Sequence, residues 1–151
     1  METRLALPTL EEIEQDFAVL DDWEDKFKYV IELGGRLPPL PDAYRSDAYK
    51  VQGCASQVWL HSKATSRPGD APVLTFEGDS DALIVRGLIA IALAAYSGQS
   101  ARHILEFDLA ARLDRLQLTQ YLSPQRSNGF RSMMARIKSD ARAALDAAPA
   151  A

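Results

Sequence analysis

Cysteine is nearly missing from this chain: its 151 residues include one, Cys54. A single thiol cannot close an intrachain disulfide, so nothing in the sequence points to an oxidising compartment. Histidine is almost as scarce, with only His61 and His103, and neither Cys-x-x-Cys nor His-x-x-x-His occurs. Iron–sulfur centres and structural zinc sites are typically built from three or four such ligands, so no metal site is expected within the chain. Its glycines form no GxGxxG or Walker-type phosphate loop. Long apolar runs are missing as well. The most apolar stretch, ALIVRGLIAIALAAY from Ala82 to Tyr96, is 15 residues long and is broken by Arg86 and Gly87. That is too short to span a bilayer and suits a buried central helix. The N-terminal METRLALPTLEEIEQ lacks the basic and then apolar segments of a secretory signal. Clustered Lys and Arg interleaved with aromatics, the footprint of a nucleic-acid binder, are also absent. Arg126, Arg131, Arg136, Lys138 and Arg142 fall at helical spacing and read as the solvated face of a last helix. Together these absences indicate a cytoplasmic protein, or one of an equivalent reducing lumen, with neither nucleic acid nor membrane as partner.

What is present describes an ordinary globular chain, 47% apolar and 25% charged. One domain over 1–151 is expected, with its core in about 7–140 and an Ala-rich end, ARAALDAAPA, that frays; a chain of this length buries roughly two thirds of its unfolded surface. Charge is uneven. Residues 1–35 hold ten acids and three bases, net −7, and the remainder is net +3.

Thr9 followed by Glu12 is a capping box, and Leu10, Ile13, Phe17 and Leu20 recur at helical spacing after it. Asp21 or Asp22 caps a second helix whose Trp23, Phe27, Val30 and Ile31 share a face, ending at Gly34-Gly35. RLPPLPDAYRSDAYK, with three prolines and no period, is a loop leading to Cys54. From Gln57, Val58 and Leu60 alternate with Trp59 and His61, and PVLTFEG follows the turn SRPGDA, so residues 57–78 predict an antiparallel hairpin. A short strand around Tyr49–Gln52 is expected as its third member. Asp79 or Ser80 is placed to cap the central helix, which stops at Ser97-Gly98. Helices over about 100–107 and 108–117 follow, and then a last helix with a stripe of Phe130, Met133, Met134 and Ile137. Helices, a small antiparallel sheet, then helices again predict an α+β fold.

A lone cysteine is more often a buried hydrophobe than a reactive centre. Cys54 differs in its setting, because Gly53, Ala55, Ser56 and Gln57 around it read as a loop between β segments, where function concentrates. Gly53 allows a sharp turn that presents the next side chain. A hydrolytic thiol would need a histidine within hydrogen-bond reach. His61 lies down the following strand, at about 3.3 Å per residue and so well over 10 Å away, and His103 begins a later helix. Sulfur transfer needs no such base. A thiolate attacks a sulfane sulfur on another protein's cysteine and carries it as a persulfide, and a free thiol of pKa about 8.5 is already partly ionised near neutrality.

The segment GCASQVW, preceded by IELGGRLPPLP and followed by GDSDALIVRGLIA and LTQYLSPQRSNGF, resembles the SufE family of sulfur-acceptor proteins. The similarity runs from about Leu7 to Ile137. It implies an α+β fold similar to that of the iron–sulfur scaffold. It also implies that Cys54 accepts sulfur from the persulfide of a SufS-type cysteine desulfurase, stimulates that enzyme, and passes the sulfur to an iron–sulfur cluster scaffold. The protein would be a carrier with transpersulfidation chemistry, an activator rather than a stand-alone enzyme. Pyridoxal phosphate would belong to the desulfurase, and this chain would bind no cofactor. In the family the cysteine loop is sheltered when alone and extends into the partner, so docking would switch on the thiol. The sequence leaves monomer and homodimer open.

Beyond Cys54, the family often has Gln where this chain has Ala55, so any polar role of that side chain is lost. Ser56 and Gln57 match the family, and either bond the loop and partner or merely close a turn. Asp79 and Asp81 match as well, although capping of the central helix accounts for them without function. Arg126, in SPQRSNG, is the better candidate for a charge near the thiol, since a cation in a helix's first turn opposes the dipole. Two other readings compete with the carrier: a regulatory docking module with an incidental thiol, and a thiol hydrolase.

Overall fold

A computed structural model of the chain describes residues 7–53 and 56–147. Thr9 opens α1 (Leu10–Val19) with the expected capping box, its hydroxyl accepting from the Glu12 amide while Glu12 reaches back to the Thr9 N–H. Asp22 caps α2 (Trp23–Gly34), accepting from the Asp25 N–H at 2.8 Å. The buried face of α2 is centred on Val30, Leu33 and Gly34. Ile31 is 39% exposed, so the expected stripe is displaced by part of a turn.

The reason is how α2 meets the central helix, α3 (Leu83–Tyr96). A Cβ on Gly87 would stand 2.1 Å from the Val30 carbonyl oxygen, and one on Gly34 would stand 2.7 Å from the Gly87 nitrogen. The two backbones therefore touch, and glycine on each side is what permits it. The helix α3 is apolar almost all round, burying Leu88, Ile89, Ile91, Leu93 and Tyr96, as a helix in the middle of a core must.

The hairpin is as expected. Strand β1 (Val58–Arg67) pairs antiparallel with β2 (Asp70–Ser80) around a turn in which Gly69 has φ +74°, with Val58 opposite Ser80 and Leu60 opposite Gly78. Val58, Leu60, Leu74 and Phe76 are buried on the core side. The outer side carries Trp59 and His61, covered in part by the preceding loop: Tyr44 stacks on His61 at 3.8 Å between ring centroids.

The third strand is not Tyr49–Gln52. That segment makes only a bridge, Lys50 with Trp59, beside a bond from the Val51 N–H to the Val58 carbonyl. The third strand is β3 (Gln99–Ser100), paired with Leu74 and Val73 on the other edge of β2. Two residues show no period, and β3 is set by Gly98 (φ +83°), whose N–H donates to the Leu74 carbonyl. The expected caps also differ. Strand β2 runs on through Asp79 and Ser80, and α3 begins after Ala82 without a side-chain cap.

Short helices α4 (Ala101–Glu106) and α5 (Leu109–Arg115) lead to α6 (Pro124–Ala147), whose Phe130, Met133, Met134 and Ile137 enter the core as expected. The helix continues through Ala147, with Ala144 and Leu145 packed on the core; the rest of the Ala-rich end, 148–151, lies outside the described residues. Lys138 is not on a solvated face. Its Nζ donates to the carbonyls of Ile104 (2.8 Å) and Phe107 (2.9 Å), closing the end of α4, and lies over the Tyr96 ring. Burial lowers its pKa.

Candidate functional site

Cys54 and Ala55 lie outside the described residues; the chain on either side of them is fastened to the fold. Before them, the Val51 N–H donates to the Val58 carbonyl at 2.8 Å, which closes the loop stem. Gly53 then takes φ +88°, a left-handed angle that few other residues adopt at low cost. A Cβ there would lie 2.7 Å from Ser132 Oγ of α6, so the loop's first limb rests against that helix. After them, the Gln57 N–H donates to Asp81 Oδ1 at 3.1 Å, and the Asp81 N–H donates to the Gln57 carbonyl at 3.4 Å. This two-way clamp ties the second limb to the entrance of α3.

Asp79 is 8% exposed and braces the same region. Its carboxylate bonds the Arg45 guanidinium on one oxygen, and the other lies 2.9 Å from Arg86 Nε and accepts from the Ser80 N–H at 2.8 Å. The Arg86 Nε–H is buried and has no aligned acceptor, so that contact is coulombic rather than a hydrogen bond. Arg45 also lies over the Trp59 ring, 5.5 Å from its centroid. Capping is therefore not what Asp79 and Asp81 do: Asp79 fastens the loop of residues 41–50 and helix α3 to the end of β2, and Asp81 holds Gln57.

Beside the stem is a cavity of about 300 Å³. Val58, Val85, Leu88, Phe130 and Met133 form its apolar side, and Ser56, Ser123, Gln125 and Arg126 form its polar edge. Arg126 thus shares a cavity with Ser56, two residues beyond the cysteine in sequence. Arg126 is in the first turn of α6, where its N–H donates to Ser123 Oγ at 3.2 Å and its side chain is exposed. The two histidines are occupied elsewhere: His61 faces Tyr44 and Glu77, and His103 stacks on Phe107. Among the described residues no group of three or more His, Cys, Asp or Glu converges.

Arg45, Arg86 and Ser132 were not singled out by the sequence. Arg45 reaches Asp79 across 34 residues, a separation no local pattern reveals. Continuation of the strand alternation through Glu77 and Asp79 was the one available signal that Asp79 belongs to β2 and not to a cap.

These features define a class: a small α+β protein in which the chain on either side of its only cysteine is fastened to the fold, beside a cavity whose lining includes an arginine. The chain matches the model of the SufE family, described as an Fe-S metabolism associated domain, over residues 11–141, and belongs to that family. It is 52% identical to an uncharacterized SufE-like protein of Rhizobium meliloti, over 93% of this chain and all of that one. It is 50% identical to an uncharacterized SufE-like protein of Rhizobium etli, over 92% of this chain and 93% of that one. A solution structure of a hypothetical protein from Thermus thermophilus has the same fold, with TM-score 0.71 over 95% of this chain and all of that one, at 19% identity. The family is associated with iron–sulfur metabolism. Among the described residues no helix is long and apolar enough to cross a membrane.

Proposed function

We propose that this protein accepts sulfane sulfur on Cys54 from a SufS-type cysteine desulfurase, stimulates that enzyme, and passes the sulfur on for iron–sulfur cluster assembly in a reducing cytoplasm. The observation that carries the reading is the anchoring of the loop: the Val51–Val58 bond, the contact of Gly53 with Ser132 and the Gln57–Asp81 clamp fix both limbs around the chain's one thiol. Anchors of this kind fix where the chain leaves and rejoins the fold on either side of Cys54, which supports a role in presenting that residue to another protein. The Cys54 thiolate attacks the terminal sulfur of the donor's persulfide; a new S–S bond forms to Cys54, the old one breaks, and the donor cysteine departs as a thiolate. Oxidation level is conserved, so the transfer needs no oxidant and no cofactor on this chain. Pyridoxal phosphate stays with the desulfurase, where the sulfur is first released from cysteine.

Turnover of a desulfurase, followed as alanine released from cysteine, tests the reading. Wild-type protein raises the rate and Cys54→Ala does not. Full stimulation by Cys54→Ala would establish a docking module with an incidental thiol instead.

A further inference from the structure

The cavity beside the loop stem has a chemical bias of its own. Its interior side is apolar, through Val58, Val85, Leu88 and Phe130. Among the described residues Arg126 is the one charged member of the lining, no acid shares it, and no ion pair occupies its guanidinium. The edge it occupies is the first turn of a 24-residue helix, whose dipole adds to the attraction for an anion. At about 300 Å³ the space is at the small end of ligand sites. A short organic carboxylate fits these features, with its charge at Arg126 and its carbon skeleton against the apolar side. Ser56, two residues after Cys54 in the sequence, is part of the lining.

We infer that the cavity is a site for a low-molecular-weight thiol carrying a carboxylate, which takes the sulfane sulfur from Cys54. The inference rests on the reading of Cys54 as a persulfide carrier and adds an acceptor to it. In the step, the small molecule's thiolate attacks the terminal sulfur of the Cys54 persulfide. One S–S bond forms on the small molecule, the S–S bond to Cys54 Sγ breaks, and the electron pair leaves on Sγ, which takes a proton from solvent. One thiol and one persulfide enter, and one of each leaves. Arg126 acts by binding and positioning, through its attraction for the carboxylate.

The experiment loads Cys54 from inorganic polysulfide, removes the excess, and follows loss of the added sulfur by intact mass against increasing 3-mercaptopropionate or 2-mercaptoethanol. The expected result is saturable discharge by 3-mercaptopropionate, with a half-saturating concentration raised about tenfold in Arg126→Gln, the scale of a lost hydrogen bond to a charged group. Discharge by the uncharged 2-mercaptoethanol is unchanged by the substitution. Comparing variants within one thiol cancels its intrinsic nucleophilicity. Discharge that is linear in 3-mercaptopropionate, or equally affected for both thiols, overturns the inference, as does a Cys54 that takes no sulfur from polysulfide. Propionate titrated into the unloaded protein should shift the Ser56 amide resonance in wild type and not in Arg126→Gln; absence of any shift in wild type counts against the site. Loading from polysulfide bypasses the desulfurase, so selective discharge here together with no transfer from a desulfurase would reject the donor reading alone.

Discussion

At the scale of single residues, two aspartates two positions apart have different tasks. Asp79 is buried between two arginines, and removing its charge leaves Arg86 without its counter-ion and Arg45 with only the exposed Asp42, 3.8 Å away. Asp79→Asn is expected to cost about 2–3 kcal/mol, less than a fully buried pair because Arg45 and Arg86 are each about a third exposed. Asp81 is exposed and offers one acceptor to the Gln57 N–H. Asp81→Ala should cost under about 1 kcal/mol while hastening hydrogen exchange at the Gln57 amide. Urea midpoints together with amide exchange separate the two; equal losses of stability with unchanged exchange at Gln57 would contradict the division. From sequence both aspartates could be marked as belonging to one motif, but not told apart. The chain's 3.6-residue and two-residue periods are local signals, whereas Asp79 is defined by Arg45, a residue met only after the loop folds back over the outer face of the hairpin.

At the scale of elements, the crossing of α2 and α3 sets the position of everything above it. Helix α3 leads from the Asp81 clamp into the core and supplies Val85 and Leu88 to the cavity. Gly87→Ala places a methyl group 2.1 Å from the Val30 carbonyl, which no rotamer relieves because both atoms belong to backbone-fixed positions. We expect a loss of more than about 3 kcal/mol, beyond ordinary overpacking, read as a lowered thermal midpoint. A fully stable Gly87→Ala would mean that the helices do not touch at this point. Elements were the most legible level of the sequence. The capping box at Thr9, the alternation from Val58 and the apolar run to Tyr96 each express a period over many residues, and each became the expected element. The misplaced third strand fails for the converse reason: Gln99–Ser100 is two residues long and is defined by its partner, β2. Lys138 likewise matched a solvated stripe by spacing, and only the position of α4 shows why its ammonium turns inward.

At the scale of the whole molecule, stability should fall in alkali. Burial and the bond from Tyr29 Oη to Asp16 Oδ2 (2.6 Å) raise the Tyr29 pKa far above its usual 10.0, and burial raises that of Tyr96. A raised phenol pKa means the unfolded chain loses its proton first. The stabilisation is complete below pH 10.0 and is lost as pH rises through and beyond that value. Lys138 acts in the opposite sense, since its folded pKa is lowered: its burial cost is present at low pH and is relieved as pH approaches its ordinary 10.5. Denaturant midpoints measured from pH 8 upward should decline above about pH 10, and Tyr29→Phe should flatten that decline; an undiminished slope in Tyr29→Phe would count against the assignment. The α+β architecture and membership of the SufE family were also legible at this scale, because several separated motifs occur in order along most of the chain. The cavity was not, because β1, α3 and α6 contribute to it from three distant parts of the sequence. The account as a whole depends on sulfur reaching Cys54. Intact-mass measurement after incubation with a cysteine desulfurase and cysteine tests this most directly: the account predicts a wild-type chain heavier by one sulfur atom, restored by reductant, and no such species in Cys54→Ser. A wild-type mass that does not change, or the same adduct in Cys54→Ser, would contradict it.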